Sequence, residues 1–313
     1  MSYTLRRINP PLHFAKKKSN MTNHTLDLNF INQAETVAAF LVEIDNELAL
    51  VETGPHSTFP LLKRKIEDKG FKIEAIKHVF LSHIHFDHAG AAWCFAPHAT
   101  IYVHPVGEKH LIDPSKLYNS AQQIYGDKMA FLWGKMEGIP PEKLHATQHE
   151  EQIKVGNKTF TAWHTPGHAT HHIAWQIDDI LFTGDVGGVK IGNGIVAPPC
   201  PPPDIDIEAW QASISLIKSL KVNALYLTHF GQVNEVDDCL NQLESRLLSY
   251  SAWIKPHFEA GKTVEEVTPL YQAMVKKEMA EHGITGSFYE QYEAANPSGM
   301  SVAGLLRYWK KRS

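Results

Sequence analysis

The chain of 313 residues has only three cysteines, Cys94, Cys200 and Cys239, and no two of them are close in sequence. This sparse, odd set excludes a disulfide framework and argues against a thiolate zinc knuckle, so we expect a reducing compartment. No apolar run approaches the length of a membrane span. The polar, basic first 20 residues also lack the apolar core of a signal peptide. We therefore expect a soluble, cytoplasmic protein without a membrane partner.

Basic charge is scarce as well. The 34 acidic residues outnumber the 30 lysines and arginines, which gives a net charge of −4. The compact basic run near the front, Lys16-Lys17-Lys18, is interpreted as a solvated segment. Because neutralising phosphates requires a basic face, this balance argues against nucleic acid as a partner. A small-molecule substrate is expected instead, and apolar residues in the C-terminal part leave a homodimer open.

Hydrophobic residues make up 43% of the chain, which is enough for a full core. Short apolar or alternating runs predict strands, with an additional strand near Tyr3–Arg7 in an otherwise irregular segment 1–25. A helix over Phe59–Lys69 is predicted to stop at Gly70. The other predicted strands cover 37–44, 47–51, 76–81, 100–103, 152–155, 158–164, 173–176, 180–182 and 224–227.

Three segments shape the predicted domain organisation. Residues from about 105 to 145 predict short helices, which form either ordinary core cover or one wall of a substrate pocket. A Gly/Pro-rich loop from Gly184 to Pro203 is a candidate pocket rim, and Asp204 or Asp206 is expected to cap the helix that follows it. From about Val233 the apolar spacing becomes helical. We therefore predict a catalytic domain 1–232, with a helical insertion at about 105–145, and a helical region 233–313.

The segment Leu81-Ser82-His83-Ile84-His85-Phe86-Asp87-His88 directly follows an apolar strand. On an extended segment, His83 and His85 point the same way and Asp87 continues that face. His88 breaks the alternation, so the chain is expected to turn there, with Ala89-Gly90-Ala91-Ala92 as the start of a helix. The turn would direct His83 and His85 toward one metal ion, and Asp87 and His88 toward a second.

Three later strands each end in a turn residue followed by a metal-capable side chain. Thr165-Pro166-Gly167-His168, Thr183-Gly184-Asp185 and Thr228-His229 all show this pattern. Functional groups are commonly placed on loops at the ends of a rigid sheet. The recurrence after three separate strands therefore predicts that His168, Asp185 and His229 complete the site.

In this order, these residues resemble the metallo-β-lactamase fold superfamily, over about residues 37–231. The resemblance implies an α/β fold, a four-layer αβ/βα sandwich, here with a C-terminal helical extension. One departure is Glu52-Thr53-Gly54, where the family often has Asp-Thr-Gly, at a position interpreted as structural or as supporting a metal ligand. The resemblance implies metal one on His83, His85 and His168, metal two on Asp87, His88 and His229, and Asp185 bridging the pair.

Imidazoles and carboxylates suit divalent zinc, iron or manganese. We expect two such ions and favour zinc. A water bridging them would lose a proton near neutral pH and become a hydroxide nucleophile. Asp87 is the candidate catalytic residue that orients this hydroxide and moves its proton. The predicted activity is hydrolysis of a small ester, thioester or lactone, with a phosphodiester as the weaker expectation. His171 is a candidate substrate contact, and Tyr289, Tyr292 and Tyr308 could also reach the pocket.

Two other functions remain open at this stage. The mononuclear iron persulfide dioxygenases, which are oxidoreductases, use the same first three ligands, and a metal count distinguishes them from the hydrolase. A non-catalytic binding module is disfavoured because degenerate members of the family lose ligands, whereas all seven candidate ligands are present here. The signatures of acyl-homoserine-lactone lactonases and of glyoxalase II-type thioesterases are both missing after Asp185, so the substrate is not assigned to either subfamily.

Overall fold

The computed structural model describes residues 21–313, which form two six-stranded sheets with helices on their outer faces. The first sheet has its strands in chain order and changes from antiparallel to parallel pairing at the third strand. Its strands are β1 (Met21–Asp27), β2 (Ala38–Ile44), β3 (Glu47–Val51), β4 (Ile76–Phe80), β5 (Thr100–Val103) and β6 (Leu144–Ala146).

The second sheet has the order β12-β11-β10-β9-β8-β7, so its strands also follow chain order. All its neighbours pair antiparallel except β10 and β11, which are parallel because a helix connects them. Its strands are β7 (Gln152–Val155), β8 (Lys158–His164), β9 (Ile173–Ile177), β10 (Ile180–Phe182), β11 (Ala224–Leu227) and β12 (Gly231–Val233).

Helices cover both sheets from the outside. Among the described residues, five helices precede β7 and five follow β10 in the chain. They are α1 (Phe59–Asp68), α2 (Phe86–Ala89), α3 (Pro105–Ile112), α4 (Ser115–Tyr125), α5 (Met129–Leu132), α6 (Ile207–Ser219), α7 (Val236–Glu259), α8 (Val264–Glu281), α9 (Ser287–Ala295) and α10 (Ser298–Lys310).

Three apolar clusters define the four layers. One lies between the sheets and is rich in rings, with Phe80 and Phe160 stacked at 4.2 Å between ring centroids. A second joins the outer face of the first sheet to α1 and α3–α5, and a third joins the outer face of the second sheet to α6–α10. The predicted four-layer αβ/βα sandwich with a C-terminal helical extension is therefore confirmed.

Turn and cap chemistry is encoded in short stretches, and the structure shows it at three places, two of them predicted. The hairpin around Gly156-Asn157 has its predicted strand limits, and Asp206 caps α6 by accepting a hydrogen bond from the Ala209 backbone at 3.0 Å. Helix α8 begins with a capping box, in which the Thr263 and Glu266 side chains bond to each other's backbone N–H. Such boxes satisfy donors that the first helical turn leaves free.

Other predictions need correction. The strand predicted near Tyr3–Arg7 lies outside the described residues, and the irregular segment that was to reach residue 25 instead becomes strand Met21–Asp27. Strands β6 and β12 were missed because each has three residues and, unlike Ile180–Phe182, neither is a continuous apolar run. The helix expected at Ala89 begins earlier, at Phe86, and is a single turn.

The C-terminal helices share one apolar core with the second sheet. Leu305 of α10, Trp210 of α6 and Leu225 of β11 belong to the same buried cluster. The Trp309 side chain also donates a hydrogen bond to the Ser251 carbonyl at 3.0 Å. The division of the chain at residue 232 stays a prediction, although this core crosses it.

Gly304 marks the closest approach of α10 to the proline-rich loop. A Cβ at this position would lie 1.9 Å from the Cys200 carbonyl oxygen. We expect Gly304→Ala to lower the free energy of unfolding by about 1–3 kcal/mol, because the backbone must shift to relieve the clash. Gly299→Ala in the same helix is the control, since its nearest atoms are 3.8 Å away and alanine favours helix. Urea titration of both variants tests this; equal stabilities would contradict it.

Within residues 21–313, every helix is too short or too polar to cross a membrane.

Candidate metal centre

The predicted site residues meet at one edge of the sandwich, where several strands of the two sheets end. His83 and His85 follow β4, His168 follows β8, Asp185 follows β10, and His229 follows β11. Asp87 and His88 lie on the single helical turn α2, so Asp87 does not continue an extended face as predicted. The divergence of the two ligand pairs therefore arises from a turn that begins two residues earlier than expected.

Contacts between the two sheets hold the histidine segment in place. The Trp175 indole donates a hydrogen bond to the Leu81 carbonyl at 2.9 Å, and the Ile173 backbone N–H donates to the Ser82 carbonyl at 2.7 Å. Both donors are on β9 of the second sheet. The segment is thus fixed at the edge where the loops of the second sheet supply His168, Asp185 and His229.

The first group consists of His83, His85 and His168. The His85 Nδ1 atom lies 2.9 Å from His83 Nε2 and 3.1 Å from His168 Nε2. Zinc–nitrogen bonds of about 2.0–2.1 Å in a tetrahedral site place ligand atoms roughly 3.3 Å apart. The three nitrogens therefore converge at nearly the spacing that a single metal ion requires.

The second group consists of Asp87, His88 and His229. The Asp87 carboxylate lies 3.8 Å from His88 Nε2 and 3.6 Å from His229 Nε2. Both rings are fully buried, whereas about a fifth of the Asp87 side chain is exposed. This group thus has one partly open side, at Asp87.

Asp185 lies between the two groups and is almost completely buried. Its Oδ2 atom is 3.2 Å from His168 Nε2, in the first group. Its Oδ1 atom is 3.2 Å from His88 Nε2 and 3.3 Å from His229 Nε2, in the second group. One carboxylate therefore presents a different oxygen to each group, which is the geometry of a bridging ligand.

Backbone carbonyls orient two of the rings. His168 Nδ1 lies 2.9 Å from the Pro199 carbonyl, and His229 Nδ1 lies 2.5 Å from the Thr36 carbonyl. Because a carbonyl only accepts, each Nδ1 carries a proton, and each Nε2 faces the cluster. Any residue can offer a carbonyl, so no sequence pattern indicates Thr36 or Pro199.

Glu52 orients a third ring. It is buried, and its carboxylate lies 3.3 Å from His88 Nδ1 and accepts a hydrogen bond from the Ser82 backbone N–H at 3.3 Å. The Ser82 hydroxyl in turn lies 2.9 Å from His83 Nδ1. The interpretation of this position as structural or supporting thus becomes specific: Glu52 contacts a ring of the second group.

We expect Glu52→Gln to weaken metal binding at the second group by about 10- to 100-fold, because the amide cannot match the carboxylate as a partner for the His88 ring. Zinc titration with a competing chelator measures this. Glu47→Gln is a matched control, since Glu47 is an exposed glutamate on the strand that leads to Glu52. Equal second-site affinities in the two variants would contradict the expectation.

Burial sets the protonation of the first group. Burial lowers the pKa of His83 and of His85 well below the usual value, and neighbouring histidines lower both further. Burial also lowers the pKa of His168. All three rings are therefore neutral at pH 7, the state that metal ligation requires.

The Asp185 carboxylate is held ionised. Burial would raise its pKa, but the rings of His88, His168 and His229 outweigh burial and hold the pKa well below the usual value. For His88, burial would lower the pKa, but Asp185, followed by Asp87 and Glu52, holds it well above the usual value. The second group therefore concentrates negative charge around its two rings.

The residues fit a pair of metal ions. Within the described part of the chain, His88 Nε2 and Asp185 Oδ1 are fully buried and have no hydrogen-bond partner, although they lie 3.2 Å apart. Buried polar atoms are rarely left unpaired, and such a pair indicates a missing ion or water. A donor set of imidazole nitrogens and carboxylate oxygens suits zinc, iron or manganese.

Comparison with known proteins identifies the family. The family model described as the metallo-beta-lactamase superfamily matches residues 33–229. The chain belongs to the metallo-β-lactamase superfamily. A curated relative, the metallo-beta-lactamase fold-containing protein ST1585 of Sulfurisphaera tokodaii, is 29% identical over 192 residues, which cover 59% of this chain and 72% of that protein.

Solved structures of the superfamily share the fold. The crystal structure of ST1585 has a TM-score of 0.59 at 24% identity and covers 71% of this chain and 85% of its own. The family protein TTHA1429 of Thermus thermophilus has a TM-score of 0.57 at 18% identity and covers 93% of both chains. A B3 metallo-β-lactamase with an active-site glutamic acid has a TM-score of 0.52 at 19% identity, covering 69% and 84%.

In this member of the superfamily, a pocket of about 530 Å³ opens onto the candidate metal centre. Four residues of the centre line the pocket: His85, Asp87, Asp185 and His229. The insertion lines another part of it, so the segment predicted as core cover or pocket wall contributes to the pocket. Pro199 and the run Pro201–Pro203 also line it, in agreement with the predicted rim.

The structure separates the other candidates. His171 lines the pocket and its Nε2 lies 3.9 Å from the Asp204 carboxylate, so its role as a substrate contact stays a prediction. Neighbouring His172 is buried and bonded to the Thr165 hydroxyl at 2.9 Å. Tyr292 donates to the Ile195 carbonyl at 2.7 Å and, like Tyr289 and Tyr308, is absent from the pocket lining.

Sequence patterns also missed Tyr125 of the insertion. It lines the pocket, and burial, followed by the Asp87 carboxylate, raises the pKa of its hydroxyl to about 12. The hydroxyl is therefore protonated at neutral pH and available as a donor near Asp87. Its helix is distant in sequence from the histidine segment, so only the fold brings the two together.

Proposed function

We propose that this chain is a hydrolase that cleaves a small ester, thioester or lactone with two divalent metal ions. Zinc is the favoured metal. The observation that carries the proposal is the position of Asp185, whose two oxygens face two separate groups of ligands. His83, His85 and His168 would hold one ion, and Asp87, His88 and His229 the other. Membership of the superfamily supports metal chemistry but leaves the substrate open.

Two ions at these positions would supply Lewis-acid catalysis and an acidified water. In hydrolysis, water gives its hydroxyl to the carbonyl carbon and a proton to the leaving oxygen or sulfur. Asp87 would orient this water and hold its proton; its carboxylate lies 3.8 Å from the His88 ring and 3.6 Å from the His229 ring and lines the pocket, which supports this role. The Tyr125 hydroxyl is a candidate donor to the substrate.

The mononuclear iron oxidoreductase is the competing proposal. It would use His83, His85 and His168 and leave the second group without a function. The convergence of His88, His229 and Asp87 favours two ions, as do the unpaired buried atoms His88 Nε2 and Asp185 Oδ1. A single iron per chain, with oxygen consumed on adding a persulfide, would reverse this preference.

The direct test is hydrolysis of a panel of esters, thioesters and lactones by the purified full chain loaded with zinc, iron or manganese. We expect turnover of at least one class, loss of that turnover after chelation, and recovery on adding the metal back. The exposed His98→Ala variant is the control for histidine loss and should keep both turnover and metal. Chelation-resistant hydrolysis, or oxygen consumption without hydrolysis, would contradict the proposal.

A further inference from the structure

Beyond the metal centre, the pocket has a lining of its own that indicates what it binds. Most of the lining from the first half of the chain is apolar or aromatic, and it includes Phe30, Phe86, Leu117 and Trp133. The Trp133 ring lies 5.2 Å from Phe30, stacked, and 5.9 Å from Phe86, between ring centroids. This aromatic wall continues to Tyr125, whose ring is 5.3 Å from Trp133. The wall therefore extends from the insertion to the neighbourhood of Asp87.

Another part of the pocket is built by the C-terminal tail and the proline-rich loop. Ala294, Pro297 and Met300 line it, together with Pro201 and its neighbours. The tail is fixed to the loop, since the Asn296 side chain donates to the Pro198 carbonyl at 3.2 Å. The tail lies outside the residues matched by the family model, which end at 229. This part of the pocket thus belongs to a segment beyond the matched region.

Two lining residues leave apolar surface exposed. Val106 is 44% exposed and Ile124 is 56% exposed, and both lie on helices of the insertion. Ile124 is the sequence neighbour of Tyr125, the last ring of the aromatic wall, and both residues line the pocket. Exposed apolar side chains that continue a buried apolar wall suit a ligand that covers them when it binds.

Charge does not oppose this interpretation. Apart from the candidate metal ligands, the charged residues described in the lining are Lys116, Asp204 and Glu293. Glu293 is already bonded, accepting from the Tyr289 hydroxyl at 3.0 Å and from the Ser298 hydroxyl. Lys116 and Asp204 have opposite signs. The lining therefore offers no concentration of charge that would select an anionic or cationic group.

Two buried nitrogens of the lining lack partners within residues 21–313. They are Trp133 Nε1 and His171 Nδ1, whose residues are 9% and 7% exposed. Buried polar atoms normally find partners, and ligand pockets place a few such groups among apolar walls to fix orientation. Both atoms are inaccessible to solvent, so neither contacts a ligand in the pocket without a side-chain movement, and the apolar lining alone carries the inference.

We propose that the pocket selects an ester or thioester with an uncharged aliphatic or aromatic group, which packs between the insertion and the C-terminal tail. This inference rests on the proposed function for the reacting bond. The carbonyl would lie at the candidate metal centre, and the apolar group would extend along the aromatic wall to Ile124. The insertion and the tail are then the segments that determine specificity.

A chain-length series tests the proposal. The first arm is a series of esters of one constant phenol, in which the acyl group grows from about two to ten carbons. The second arm is a series of acetate esters, in which the alcohol grows over the same range. We expect kcat/KM to rise about threefold for each methylene that becomes buried, in one of the two arms. The arm that responds identifies which side of the bond occupies the pocket. A flat response in both arms would overturn the proposal.

Ile124→Ser provides the matched variant, because Ile124 is exposed and its loss does not open the core. We expect kcat/KM to fall about tenfold for the longest substrate of the responding arm and by much less for the two-carbon substrate, which is too short to reach Ile124. Phe131→Ser is the control, since Phe131 is 63% exposed on the neighbouring helix and does not line the pocket. Equal losses for short and long substrates, or equal losses in both variants, would overturn the proposal.

Binding of inert ketones separates this inference from the proposed function. Titration calorimetry of the metal-loaded full chain would compare 2-butanone with 2-decanone. We expect tighter binding of 2-decanone by about tenfold or more, with a negative heat-capacity change, and weaker binding to Ile124→Ser. This result without any ester cleavage would support the pocket assignment and overturn the hydrolase. Ester cleavage with equal binding of both ketones would overturn the pocket assignment and leave the hydrolase intact.

Discussion

Replacing Asp185 by Asn is expected to lower hydrolysis by about 10²- to 10³-fold and to reduce bound metal from two ions per chain to one or fewer. The carboxylate presents one oxygen to His168 and the other to His88 and His229, so both groups lose a negatively charged ligand at once. Asparagine keeps the shape of the side chain but offers a single neutral oxygen. Elemental analysis and kcat/KM on the same preparation measure both effects.

Asp204→Asn is the matched control for this variant. Asp204 also lines the pocket, and its Oδ2 accepts from the Thr170 hydroxyl at 3.0 Å, outside the two ligand groups. We expect full metal content in this variant. An Asp185→Asn protein that keeps two ions per chain would contradict the assignment of Asp185 as a bridging ligand.

Removing the metal is expected to destabilise the fold, because six buried or partly buried imidazole and carboxylate side chains, all candidate ligands, converge around Asp185. A ligand that binds only the folded state stabilises it by about 4 kcal/mol at a thousand times its dissociation constant. At this chain length we expect Tm to fall by roughly 10 °C after chelation. Differential scanning calorimetry before and after dialysis against a chelator measures the change.

Two controls make this measurement specific. Adding zinc back should restore Tm, whereas magnesium should not, because imidazole nitrogens suit zinc and magnesium prefers oxygen ligands. Chelation of the Asp185→Asn variant should lower Tm by less than in the natural chain. A Tm that stays the same while elemental analysis shows that the metal has left would contradict the account.

The strand-end pattern in the sequence was sufficient to predict which residues meet. His83 and His85 come within five residues of the end of β4, and Asp185 and His229 follow turn residues or threonines at the ends of two other strands. Because such loops lie at one edge of a layered fold, residues far apart in sequence could be placed together. Their assignment as metal ligands stays a prediction.

Other parts of the site had no local signature. The carbonyls of Thr36 and Pro199 orient two rings, and a carbonyl is common to all residues. Glu52 was placed at a structural or supporting position, but its contact with His88 depends on how β3 and α2 meet. The pocket wall around Trp133 depends on how the insertion folds back, which composition alone left undecided.

The most direct test of the central claim is the number of metal ions bound per chain. We would purify the natural chain, His88→Ala and His229→Ala without added metal, and measure zinc, iron and manganese by elemental analysis. Two ions in the natural chain, falling toward one in both variants, is the predicted result, because both histidines belong to the second group. One iron per chain, unchanged in both variants, would contradict the two-metal account.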